Sequence, residues 1–207
     1  MTDVALRVRT HFPDVHITLM SIVMALGLEN LISELRGLRG SGGLLDSALV
    51  WSQAFAVFAA IVTIWTGNSL GALTLRWSPR IWDLAGPLLI LVLVNLAIAA
   101  IGAETCHLFL YVTAAASFLA VLWIRTVYAT AEKSGENQEL LARWQSARDT
   151  RAHATLGILS LLAAALVHAG LLPIGGALIA TLLFGVGEAG CALLAFRGWE
   201  RAWGIRS

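Results

Sequence analysis

The chain has 207 residues, 58% of them hydrophobic and 13% charged. That balance excludes an ordinary soluble domain, and membrane spans of about 20 residues each would leave no room for one beside them. The net charge of +1, with basic residues scattered along the chain, excludes a nucleic-acid-binding surface.

Apolar stretches predict an all-α membrane protein whose residues 1–207 form a single domain of six transmembrane helices. The first helix is expected over 14–35. Arg7 and Arg9 precede it, but Glu29, Asn30 and Glu34 follow where a signal-peptide cleavage site would need small residues, so it reads as an uncleaved first span. The second covers 47–75, with Asp46 as its N-cap, and is long enough to tilt or project. Ser78 and Pro79 break the chain and start the third, 80–103. The fourth spans 105–131. A polar, helical segment, 132–150, leads to the fifth, 151–172. The tight turn Leu172-Pro173-Ile174-Gly175-Gly176 opens the sixth, 174–196.

Cations separate across these segments. Arg7, Arg9, Arg76, Arg80, Arg125, Lys133, Arg143, Arg148, Arg151, Arg197, Arg201 and Arg206 fall on one side, and only Arg36 and Arg39 on the other. Lys and Arg are retained in cytoplasmic loops, which predicts both termini in the cytoplasm and, for a bacterial chain, the inner membrane. Trp77, Trp82, Trp123, Trp144, Trp199 and Trp203 fall near the same boundary, where indole rings favour the headgroup layer.

Gly185-Val186-Gly187-Glu188-Ala189-Gly190 matches a dinucleotide fingerprint, but only 17 residues follow it, too few for a helix and a second strand. Small residues at this spacing instead let membrane helices approach closely. Cys106 and Cys191 lie at different depths and predict no disulfide.

Ionisable groups inside a bilayer are costly and mark function or helix packing. Arg9, Asp14, His16, Asn68 and Asp83 share one depth near the basic side, and a polar network among Arg9, Asp14, Asn68 and Asp83 is expected there. Glu104, Cys106, His107 and His168 gather on the opposite side. Their residue types suit zinc, but Glu104-x-x-His107 is one short spacing and not a complete ligand set, so no metal or other cofactor is expected. Glu188 stands alone in the last helix, and no catalytic set is apparent.

The start of the first helix, Arg9-Thr10-His11-Phe12-Pro13-Asp14, resembles the Arg and Phe-Ser-Asp signature of the transmembrane protein 175 family of endolysosomal and bacterial potassium channels. Trp65-Thr66-Gly67-Asn68-Ser69 stands where that family has a Trp and a His pair, and Ile81-Trp82-Asp83-Leu84 where its third helix starts. Pro13 replaces the signature Ser, and Asn68 with Ser69 replaces the His pair. The resemblance implies that Phe12 joins the polar network. It also implies a homo-oligomer, a tetramer by preference, conducting monovalent cations along a pore lined by the first helix. One helical stripe from that start is Leu19, Ile22 or Val23, Leu26 and Asn30, spaced by three and four, with Leu19, Ile22 and Leu26 expected near the constriction. The alternatives are a membrane-embedded metal- or haem-binding protein or enzyme, and an accessory membrane subunit docking through Gly185, Gly187 and Gly190.

Overall fold

The computed structural model describes residues 3–37, 43–76, 81–133, 135–143 and 146–204, with side chains described for 10–37, 43–76, 85–133, 135–141, 150–200 and 203–204. Among the described residues the chain is helical, without strands: α1 Asp3–Gly37, α2 Leu44–Thr74, α3 Ile81–Ala99, α4 Cys106–Lys133, α5 Gln138–Arg143, α6 Ser146–His168 and α7 Ile174–Ala202. Five of these are long and apolar enough to cross a membrane, through Thr10–Gly37, Leu44–Thr74, Cys106–Lys133, Thr150–His168 and Ile174–Glu200. The chain is therefore a multi-pass, all-α protein of membrane type. α3 is apolar but shorter.

Boundaries differ from the sequence expectation for local reasons. α1 begins eleven residues before 14 and carries Pro13 inside it. One backbone donor is lost at Pro13, and the helix continues through it. At the start of α2, Asp46 is not the N-cap. It lies one turn in, and its Oδ2 accepts the Gly43 backbone N–H at 3.1 Å. α6 ends at His168, short of 172, because Gly170 adopts φ +69. The Leu171 N–H then donates back to Leu166 O at 2.9 Å, which closes a Schellman turn. α7 runs on to Ala202, past 196.

α1, α2, α7, α6, α4 and α3 each pack against the next, and α3 returns to α1, so six helices close into a ring. α2 and α3 also touch, and α5 packs against α7. Lipid tails are as apolar as Leu, so such helices associate by close packing and hydrogen bonds rather than by water exclusion. Both devices are present. A Cβ on Gly185 of α7 would lie 2.7 Å from Phe55 Cδ1 and 3.1 Å from Ala56 Cα of α2. On the same seam, Ser52 and Thr181 hydroxyls share a hydrogen bond of 2.5 Å, and Thr63 Oγ1 donates to Glu188 O at 2.8 Å. Gly187 receives Leu156 of α6, Gly157 of α6 receives Phe118 of α4, and Gly27 of α1 receives Val94 of α3. The apolar core runs through this ring, from Met20, Val23 and Met24 to Phe109, Ala164 and Phe184.

The two ends are closed differently. At the end carrying Arg76, Arg125, Arg151 and Arg197, called the basic end below, buried Trp199 packs with Leu75 and Ala131. Asn137 clasps the same region: its Nδ2 donates to Arg76 O at 2.8 Å and Ala131 O at 3.0 Å, and its Oδ1 accepts the Arg76 N–H at 2.9 Å. At the far end, fully buried Gln53 holds the turn after α3. Its Oε1 accepts the Gly102 N–H at 2.8 Å and its Nε2 donates to Gly102 O at 3.3 Å.

Candidate functional site

Two features stand apart from ordinary helix packing: the outward face of α1, and a chamber inside the ring.

On five helices the surface away from the ring is apolar through the middle of the span. Phe55, Phe58 and Val62 of α2, Leu88 and Val92 of α3, Phe118 and Leu122 of α4, Ile158 and Leu162 of α6, and Leu183 and Val186 of α7 are all exposed. α1 is different. Asp14, Thr18, Ser21, Ala25, Glu29, Ser33 and Arg36 are exposed at spacings of three and four, forming one mainly polar stripe over 14–36 that also carries Ile32. Ile22 and Leu26, 54% and 43% exposed, flank it. Thr18 Oγ1 donates to Asp14 O at 2.8 Å, and Trp65 Nε1 of α2 donates to Ser21 Oγ at 3.2 Å, so the hydroxyls are partly satisfied. Glu29 lies about 8 Å along the axis from the middle of the 10–37 span, within the roughly 15 Å half-thickness of a hydrocarbon core.

The expected pore stripe is thus divided. Ile22 and Leu26 face outward. Val23 is buried in the core and Leu19 is half-buried against it. Asn30 Nδ2 donates to Asn95 Oδ1 of α3 at 2.8 Å.

The expected polar network is described only in part. The side chains of Arg9 and Asp83 lie outside the described residues. Asp14 is exposed. Asn68 Nδ2 donates to Ile64 O of its own helix at 2.8 Å. Phe12 packs its ring against His16, with centroids 5.6 Å apart. His16, 3% exposed, turns into the ring instead of towards the surface.

At the far end His107 and His168 do meet, edge to face at 5.2 Å, with Tyr111 at 6.2 Å from His168. Cys106 is buried beside the Gln53 side chain. Among the described residues, no group of three or more His, Cys, Asp or Glu side chains lies close enough to hold a metal ion.

The chamber occupies about 200 Å³ between the six ring helices. Its wall is largely apolar, with Ala60, Leu93, Val94 and Ala116 towards the middle of the span and Ala97 nearer the far end. His16, Asn68, Tyr128 and His153 line it towards the basic end, while the hydroxyls of Thr63 and Thr113, further along, are spent on Glu188 O and Leu110 O. His153 Nε2 stands 4.0 Å from Glu188 Oε2, so the isolated carboxyl of the last helix has a partner on α6. Both side chains are nearly enclosed, at 10% and 6% exposure. His153 is a residue that sequence reasoning missed, because it follows Arg151 and reads as the edge of a loop. The signal was its place after the first alanine of an apolar run, one helical turn before Leu156 and Gly157.

No family model, curated protein or solved structure matches this chain.

Proposed function

We propose that the protein is an oligomeric cation channel in which α1 of each copy lines a shared axis. The observation that carries this reading is the outward polar stripe of α1. Asp14, Thr18, Ser21, Glu29 and Ser33 are exposed on a helix whose neighbours α2 and α3 expose Phe55, Phe58, Val62, Leu88 and Val92. A carboxylate facing hydrocarbon costs several kcal/mol, about 3 by insertion scales and more by others. A second copy of the chain, with water between the two stripes, removes that cost. Rings of Asp and Glu favour cations, and Ile22 and Leu26 beside the stripe supply an apolar narrowing that gates by dewetting. A tetramer conducting potassium is the form that the likeness of Phe12-Pro13-Asp14 to the potassium-channel signature favours.

The same reading includes six spans with both termini in the cytoplasm. α3, with 19 residues, is about 29 Å long and matches a bilayer core of about 30 Å. The twelve cations on one side against Arg36 and Arg39 on the other set the orientation, which for a bacterial chain is that of the inner membrane.

The test is cation flux in liposomes. Ile22→Asn and Leu26→Asn should wet the narrowing and raise flux, and Glu29→Gln should lower cation preference over chloride. Val23→Asn places an amide in the core and should reduce folded yield instead. Unchanged flux in well-folded Ile22→Asn and Leu26→Asn proteins, or a purified protein that stays monomeric in nanodiscs, would sink the pore.

A further inference from the structure

We propose that the chamber inside the ring is a binding site for a small, neutral, membrane-dissolved molecule of about two rings with one hydroxyl or carbonyl, which enters between α3 and α4. This site lies within one copy of the chain and does not depend on the pore outside it.

Size comes first. An apolar cavity of about 150 Å³ stays dry and takes up benzene. A chamber of about 200 Å³ accommodates somewhat more than a single ring. An aqueous filling is unfavourable along most of its length, because a buried water needs two to four polar partners and Leu93, Ala97 and Ala116 offer none.

Polarity gives the orientation of the guest. The wall is mostly apolar at mid-span, where the Thr63 and Thr113 hydroxyls donate to backbone carbonyls, and His16, Asn68, Tyr128 and His153 line it towards the basic end. Asn68 spends one amide hydrogen on Ile64 O, and among the described residues its Oδ1 takes no hydrogen bond. Asn68 lines the chamber, and its amide oxygen is the acceptor we assign to a guest hydroxyl. His153, held beside Glu188, lines the same end.

Charge selects a neutral guest. Among the described residues no Lys or Arg side chain lines the chamber, while the Glu188 carboxyl stands 4.0 Å from His153. An anionic head would lose its hydration and gain no cation in return.

The entrance follows from burial. Leu89 of α3 lines the chamber and is 48% exposed, and Leu93, Ala116, Leu119 and Ala120 line it while only half-buried. The cleft between α3 and α4 is therefore open at mid-span, facing lipid. Towards the basic end, among the described residues, the Trp123 ring covers it, lying on Gly86 where a Cβ would clash with the ring. The guest reaches the chamber from the bilayer and not from the water.

The experiment is equilibrium dialysis of the full chain in nanodiscs, against empty nanodiscs, with 1-naphthol, naphthalene and 1-naphthoate as probes. Naphthol should show one saturable site per chain and bind at least about tenfold more tightly than naphthalene or naphthoate, the value of one good hydrogen bond. Asn68→Leu should reduce naphthol to the affinity of naphthalene, and Ala116→Phe, which fills the chamber, should abolish saturable binding of both. Thermal unfolding without probe checks that each variant is folded. Should either variant unfold, the wild-type isotherms still decide. Uptake that never saturates overturns the site, as does saturation unchanged in folded Ala116→Phe. Naphthoate binding as tightly as naphthol overturns the neutral head group.

Discussion

Asn30 of α1 and Asn95 of α3 are joined by a side-chain hydrogen bond of 2.8 Å, one residue away from the outward-facing Glu29. The bond sets the rotation of α1 about its own axis, and hence which of its faces leaves the ring. Asn30→Leu and Asn95→Leu should each destabilise the fold, and the double variant should recover part of the loss. A coupling of about 0.5–1.5 kcal/mol is expected from a double-mutant cycle on unfolding in mixed micelles. Additive losses would show that the two amides act independently and that other contacts set the rotation.

Gly185 and Gly190 share a motif but not an environment. At Gly185 an added Cβ meets both the Phe55 ring and the Ala56 backbone, whereas at Gly190 nothing lies within 4 Å. Gly185→Val should separate α2 from α7 and cost about 1–3 kcal/mol by overpacking. Gly190→Ala should be neutral or slightly stabilising, since alanine is the better helix former. Equal melting temperatures for the two variants would contradict the seam.

Asn137 is 2% exposed and makes three hydrogen bonds to backbone groups of Arg76 and Ala131. Asn137→Ala leaves those groups without their partner, at a cost of about 1–3 kcal/mol each if water cannot replace it. The expected result is loosening of the basic end: faster amide exchange around 75–76 and 131–141, with the Gln53–Gly102 end unchanged. Uniform exchange along the chain would mean that the clasp is not a local device.

Orientation is open to direct test. Cys106 and Cys191 are both buried, so an introduced cysteine can be read above a low background. Ser41→Cys should react with an impermeant thiol reagent from outside the cell and Gly135→Cys only from inside. The reverse pattern would end the proposed topology.

Amino-acid order alone determined that this chain is helical, of membrane type and biased in charge between its two ends. Those properties are additive: each span follows from the length and composition of one local run, and the charge bias from which connection each Arg occupies. It also marked Gly185 and Gly187 as packing positions, because in a bilayer small residues have few other uses. What it could not decide was direction and partnership. Leu19, Ile22, Val23, Leu26 and Asn30 form one plausible stripe in one dimension, but the face that α1 turns outward is set by α2 and α3, far away in sequence. The packed bundle puts Val23 in the core and Asp14, Ser21 and Glu29 outside. Glu188 reads as an isolated charge until α6 brings His153 to within 4.0 Å. Gln53 and Asn137 read as ordinary polar residues until Gly102 and Arg76 arrive beside them. Local periodicity determines where a helix runs. Only the contacts of its neighbours determine which way it is rotated, and with it which polar groups meet.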